Sequence, residues 1–224
     1  VKNLLDKDYK VVVGYKKEKK LADELVKENK SCFSVQVDIS SLDSIKDSID
    51  FIRDNLGDVQ ILINNAGLNK NAPFAKIDAV DFEQIHRINT VAPFLLCRAV
   101  VTKMRENRWG RIVNICSIWS KIVRPGRGAY AASKFALDGL TAALAAEVAV
   151  DGVLVNAVSP GFIDTELTRT TVSPETIAEL VAEVPIGRLG RPDEIASLVT
   201  WLVGPENTFV SGQNIAIDGG FSRV

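Results

Sequence analysis

Tyr130 and Lys134 stand four residues apart, enclosing Ala131, Ala132 and Ser133. On a helix, positions i and i+4 share a face, so the phenol and the ammonium would be neighbours. An ammonium beside a phenol favours the phenolate and lowers its pKa from an ordinary ~10. Tyr130 then becomes a proton donor to a carbonyl near neutral pH. The spacing alone fits a surface pair equally well, so its context matters. Ser117 lies thirteen residues upstream, just past the apolar run 111–115. Asn64, Asn65, Ala66 and Gly67 follow a second apolar run, 59–63, and Ser159, Pro160 and Gly161 follow a third, 153–158. Small residues let backbone approach a ligand closely. In a doubly wound sheet, ligands bind at the carboxyl ends of the strands. Three such ends describe a crevice.

The elements that must position these residues follow from periodicity. Short Val- and Ile-rich runs at 10–15, 32–37, 59–63, 111–115, 153–158 and 214–217 read as strands buried on both faces. Amphipathic stretches at 17–28, 42–55, 79–105, 130–150 and 193–203 read as helices. This alternation predicts an α/β fold, a doubly wound parallel sheet in three αβα layers, and one domain over 1–224. Residues 1–5 look like the end of a helix running into strand 10–15. A fold of this class opens earlier, with a strand and a glycine-rich turn. The expectation is therefore a domain whose first strand and loop lie upstream of Val1. Without that strand, 10–15 and 32–37 have no sheet neighbour joining them to the rest.

Composition narrows the function. The chain has 224 residues, 46% hydrophobic and 25% charged, with a net charge of −1. No basic excess is available to neutralise a phosphate backbone, which argues against nucleic acid. Apolar stretches end well short of the ~20 residues a membrane span needs. Cys32, Cys97 and Cys116 lack CxxC spacing and read as small buried hydrophobes in a reducing, cytoplasmic compartment. The single histidine, His86, cannot build a multi-His metal site; it lies among Glu83, Gln84 and Arg87 and reads as a helix-surface residue.

Asp38, the NNAG of 64–67, Asn89, Ser117, the YAASK of 130–134, Pro160-Gly161 with Thr165, and the closing Asp218-Gly219-Gly220 together resemble the short-chain dehydrogenase/reductase family. The resemblance covers 1–224 and omits only the family's TGxxxGIG phosphate loop. The phrases GRIVNICS, YAASKFALDGL, VNAVSPGFIDT and PIGRLGRPDEIA are most similar to 3-oxoacyl-acyl-carrier-protein reductases. The family resemblance implies that Tyr130 is the general acid, that Lys134 holds the nicotinamide ribose and depresses the Tyr130 pKa, and that Ser117 hydrogen-bonds the substrate carbonyl. It implies that Asn89 holds a water linking Lys134 to solvent. It also implies a homotetramer built on helices 79–105 and 130–150 and on the last strand.

The resemblance further places Asp38 and Ile39 at the adenine, Asn65, Ala66 and Gly67 along the cofactor, and Pro160, Gly161, Ile163 and Thr165 over the nicotinamide. Cofactor choice has a physical handle. An acid at the end of the second strand binds a ribose 2′-hydroxyl and repels a 2′-phosphate. Here Tyr15, Lys16 and Lys17 end that run. The cations favour NADPH over NADH, unless they only solvate the start of a helix.

Two features depart from the subgroup. With no phosphate loop in the sequence, a catalytically defective scaffold is one reading, against which the full set of Asn89, Ser117, Tyr130 and Lys134 stands. Arg127 occupies a position where the subgroup often has a neutral amide, with Arg124 and Trp119 nearby. These residues would recognise an anionic or sugar-like substrate, or else line a surface loop. For docking of acyl carrier protein, Arg108 matches a basic position and Asp151 replaces a second. The main expectation is NADPH-dependent reduction of a 3-oxoacyl thioester. The alternative is a sugar, polyol or hydroxy-acid dehydrogenase. Residues 162–186 are expected to form a substrate lid.

Overall fold

The computed structural model describes residues 1–171 and 173–223; Val172, inside the expected lid, and Val224, the last residue of the expected domain, lie outside the described residues. After a short helix α1 (Lys2–Leu5), the chain runs β1 (Val11–Tyr15), α2 (Lys19–Glu28), β2 (Cys32–Gln36), α3 (Leu42–Leu56) and β3 (Ile61–Asn64). Then follow α4 (Ala79–His86), a π-helical segment (Arg87–Val91), α5 (Ala92–Glu106), β4 (Gly110–Ile115), α6 (Gly128–Val148) and β5 (Val153–Pro160). The chain closes with α7 (Glu166–Thr171), α8 (Pro174–Glu183), α9 (Pro192–Val203) and β6 (Asn214–Ile217).

All strand pairs are parallel, in two sheets: β1 with β2, and β3-β4-β5-β6 in that order. Among the described residues no strand joins the two sheets, as the strand order predicted. The central strands β4 and β5 are buried on both faces. Ile112 and Val155 pack with Cys97, Val100 and Met104 of α5 and with Ala145 and Val148 of α6. Their neighbours Val113 and Val158 point the other way, into Val199, Leu202 and Val203 of α9. Period-two alternation thus feeds both faces of a three-layer sandwich. Each such side chain contributes roughly 1.5–3 kcal/mol on full burial. The strands β1, β2 and β3 are mostly half-buried, not enclosed like β4 and β5. Expecting these strands and β6, which is also half-buried, to be sealed on both faces overstated their cover, because β1, β2, β3 and β6 each have an unpaired edge.

The single helix expected over 79–105 is interrupted. Residues 87–91 widen into a π turn between α4 and α5. Pro93, near the start of α5, has no N–H to give the Asn89 carbonyl four residues earlier. Single π turns often mark functional sites. His86, expected on the surface, is half-buried against Phe82 with ring centroids 4.5 Å apart, and its Nε2 is enclosed without a partner. All three cysteines are free and buried; enclosure pushes the Cys97 and Cys116 thiols up to about 12, so they are unreactive.

Candidate active site

Beneath the crevice, polar side chains tie strand ends to α6. Asn64 donates to Asn114 Oδ1 at 2.8 Å, and Asn114 donates to Thr141 Oγ1 at 2.9 Å. A second set joins β4, β5 and β6: Asn214 donates to Ser120 Oγ at 2.9 Å, Ser159 donates to Asn214 Oδ1 at 2.6 Å, and the two serine hydroxyls lie 3.0 Å apart. Ser120 also donates to the Ser117 carbonyl at 2.7 Å. Sequence reasoning passed over Asn114, Ser120, Ser133 and Asn214. The one visible signal was an asparagine inside the apolar run of β4, since a buried amide in a strand must find partners.

Above this floor the structure brings Ser117, Tyr130 and Lys134 together. Ser117 follows β4, and its hydroxyl accepts the Trp119 N–H at 3.3 Å. Lys134 is 3% exposed. Its ammonium donates to the Ile115 carbonyl at 2.7 Å and lies 5.7 Å from the Tyr130 ring centroid. The expected depression of the Tyr130 pKa is not what this geometry produces. Burial pushes the phenol above its ordinary value, and the smaller downward pulls of Ser117 and Arg127 do not reverse it. Burial likewise pushes the Lys134 ammonium down. Both neutral forms gain because both groups are largely out of water.

Asn89 is fully buried in the π turn. Its Oδ1 accepts the Leu68 N–H at 2.7 Å, and its Nδ2 donates to the Leu68 carbonyl at 2.8 Å and to Ser133 Oγ at 3.0 Å. The side chain is therefore fully engaged by protein partners. Asn65, Ala66 and Gly67 are exposed along the crevice. A Cβ on Gly67 would stand 3.6 Å from both Asn89 Oδ1 and Lys134 Nζ, which places that turn against the site.

Other expected positions are already occupied by protein. Lys16 forms an ion pair with Asp38 at 2.7 Å, so it is not a free cation. Lys16 and the Ser40 hydroxyl and N–H hold the Asp38 carboxyl down to about 2. Tyr15 ends β1, and Ile39 lies next to Asp38; both are half-buried. A Cβ on Gly161 would meet Asp218 Cβ at 2.7 Å, so this glycine is required for packing against the end of β6 as well as beside Pro160. Thr165 Oγ1 accepts the Thr168 N–H at 3.1 Å, capping α7, while Ile163 bridges to Gly190. Trp119, expected to touch substrate, is only 5% exposed. It packs edge-on against Phe162 and Phe221 and forms the floor beneath Arg124 and Arg127. Arg124 pairs with Glu183 of α8. Arg108, expected as a docking cation, is held by Asp151 at 2.6 Å, which also binds Arg105 at 2.6 Å.

A parallel sheet with this site at its carboxyl edge defines a class of nicotinamide-dependent oxidoreductases acting on CH–OH and C=O groups. The chain belongs to the short-chain dehydrogenase/reductase family, whose sequence model described as enoyl-(acyl carrier protein) reductase matches residues 1–222. It is 37% identical over 182 residues to acetoacetyl-CoA reductase of Cupriavidus necator, covering 81% of this chain and 74% of that one. It is 37% identical over 188 residues to 3-oxoacyl-acyl-carrier-protein reductase of Vibrio cholerae, covering 84% and 77%. Its fold matches a gluconate 5-dehydrogenase of Burkholderia cenocepacia, crystallised with NADP and tartrate, at TM-score 0.90 and 30% identity over 96% of this chain and 86% of that one.

Proposed function

We propose that this chain catalyses NADPH-dependent reduction of a ketone to a secondary alcohol, with a 3-oxoacyl thioester as substrate. The observation that carries the reading is the convergence of Ser117, Tyr130 and Lys134 at the end of β4. The residues fit a nicotinamide dinucleotide. Lys134 is a buried cation bonded only to a main-chain carbonyl, and Asn65, Ala66 and Gly67 open onto the same crevice. Lys134 would hold the nicotinamide ribose and Lys16 the 2′-phosphate. Asp38 and Ile39 would border the adenine, with Pro160, Gly161, Ile163 and Thr165 along the nicotinamide. When bound, the cofactor supplies the hydride; the protein supplies position and protons.

Ser117 orients the carbonyl oxygen through its hydroxyl. Tyr130, kept protonated by burial, gives its proton to that oxygen as negative charge develops. Lys134 stabilises the phenolate left behind. Asn89 positions Lys134 and the turn after β3. The likeness to acetoacetyl-CoA and 3-oxoacyl-acyl-carrier-protein reductases supports a thioester, with acyl carrier protein or coenzyme A as the carrying group. A homotetramer is supported by the exposed Phe94 and Phe135 on α5 and α6. No helix among the described residues is long and apolar enough to cross a membrane.

A second reading, a sugar or hydroxy-acid dehydrogenase, is favoured by Arg127 and by the likeness to gluconate 5-dehydrogenase. The deciding test is NADPH oxidation with acetoacetyl thioesters against keto sugars and keto acids. Thioester turnover at the higher kcat/KM supports the first reading, and absence of thioester turnover overturns it.

A further inference from the structure

Arg127 is a half-buried cation at the start of α6, three residues before Tyr130. Two contacts fix it. One guanidinium arm donates to Asn71 Oδ1 at 2.7 Å, in the loop after β3, and its plane lies 5.3 Å from the Trp119 ring centroid. Arg124 sits over the same indole at 5.8 Å and over Phe221 at 5.6 Å, but Glu183 balances its charge. Among the described residues, Arg127 forms no ion pair. Lys134 forms none either. Tyr130 therefore has two cations near it, Lys134 and Arg127, that no carboxylate among the described residues pairs with.

A charge drawn partly out of water without a counter-ion is costly. Stacking on the indole recovers part of that cost, and Arg124 adds repulsion. Burial and Arg124 both push the Arg127 pKa down, and the proximity of Tyr130 acts in the other direction. The arrangement has the form of half an ion pair. A guanidinium presents a planar fork that fits a carboxylate through two parallel hydrogen bonds, and Asn71 leaves most of that fork free. Sugar hydroxyls would gain little from an unbalanced charge, so the feature selects an acid over a neutral polyol.

We infer that the substrate carries a carboxylate a few bonds from its reacting carbonyl and that Arg127 binds it. The inference rests on Tyr130 as proton donor to the carbonyl and belongs to the second reading: if Arg127 binds a carboxylate, the substrate is a keto or hydroxy acid and the thioester reading falls. It makes Arg127 a specificity residue and leaves Arg124 and Trp119 as its supports.

The test compares acetoacetate with methyl acetoacetate, which share a ketone and differ in charge. Wild type should prefer the acid in kcat/KM. Arg127→Gln should shrink the acid-to-ester ratio roughly tenfold or more, chiefly through KM, as loss of a charge-assisted hydrogen bond would. Arg127→Lys should restore part of the ratio. A parallel titration with malonate, read by tryptophan fluorescence, should saturate in wild type and weaken in Arg127→Gln. Turnover with no preference for the acid, or equal losses on both substrates, overturns the inference. If neither ketone is reduced but malonate binding depends on Arg127, the anion site stands as a binding site only and its role in substrate choice falls; the proposed function is judged separately, by acetoacetyl thioester turnover. If malonate binding is also absent, the inference falls whole.

Discussion

The Asn89 carboxamide donates to the Ser133 hydroxyl across 3.0 Å, tying the π turn to α6 one residue before Lys134. The same carboxamide holds both main-chain groups of Leu68. One side chain therefore suspends the turn after β3 from the helix that carries Tyr130 and Lys134. Asn89→Ala should cost about 1–3 kcal/mol, the penalty for leaving buried polar groups unpaired. A thermal melt should show the loss, and nicotinamide affinity should fall with it. An unchanged melting temperature would mean the carboxamide holds nothing that water cannot replace.

Tyr130→Phe deletes the proton donor and little else. Turnover should fall by roughly 10²–10⁴, the usual contribution of a general acid, while the dissociation constant for NADPH should change by no more than a few-fold. Steady-state rates together with a fluorescence titration separate the two effects. Wild-type turnover in the variant would remove Tyr130 from the mechanism.

The direction of the Tyr130 shift sets a pH dependence. Burial raises the phenol above its ordinary value, so the proton is in place throughout the neutral range. Reduction, which needs the phenol, should be nearly level there. Alcohol oxidation needs the phenolate and should keep rising as the pH is taken into the alkaline range. A pH–rate profile for oxidation that peaked below neutrality would contradict the assignment.

Lys16 can meet a 2′-phosphate only by loosening its hold on Asp38. Asp38→Asn frees the cation and should raise the affinity for NADPH relative to NADH a few-fold; Lys16→Ala should lower that ratio about tenfold, the lower end for a charged hydrogen bond. The sign with pH follows. A carboxyl held down to about 2 keeps the pair intact above its unfolded value, near 4, and loses it as pH falls toward 2. Paired cofactor titrations of the two variants test this, and a ratio indifferent to Lys16 would remove it from cofactor selection.

Much of the layout was legible because it is written in short-range patterns. Val and Ile runs marked β4 and β5, and turn residues marked the strand ends around the crevice. The break at residues 87–91 was harder to see, because α4, the π turn and α5 share one apolar periodicity; only Pro93 signalled it. Electrostatic detail was less legible still. Lys16 and Asp38 are more than twenty positions apart, and Arg124 and Glu183 almost sixty, so their pairing depends on the folded chain bringing distant segments together. Burial reversed the expected Tyr130 shift for a related reason: the i, i+4 rule gives proximity to Lys134 but says nothing of how much water remains.

The ring of Ser120, Ser159 and Asn214 has a consequence in its proton count. A serine hydroxyl carries one hydrogen. Ser120 must divide its hydrogen between the Ser117 carbonyl and Ser159, and Ser159 must divide its own between Asn214 and Ser120. Two hydrogens therefore serve three oxygen–oxygen contacts, and the Asn214 amide donates a further hydrogen to Ser120. The heavy atoms stay joined whichever contacts the hydrogens occupy. The ends of β4, β5 and β6 are thus held by a network that is fixed in its frame and degenerate in its hydrogens. The pull on the Ser117 main chain can vary without moving the strands.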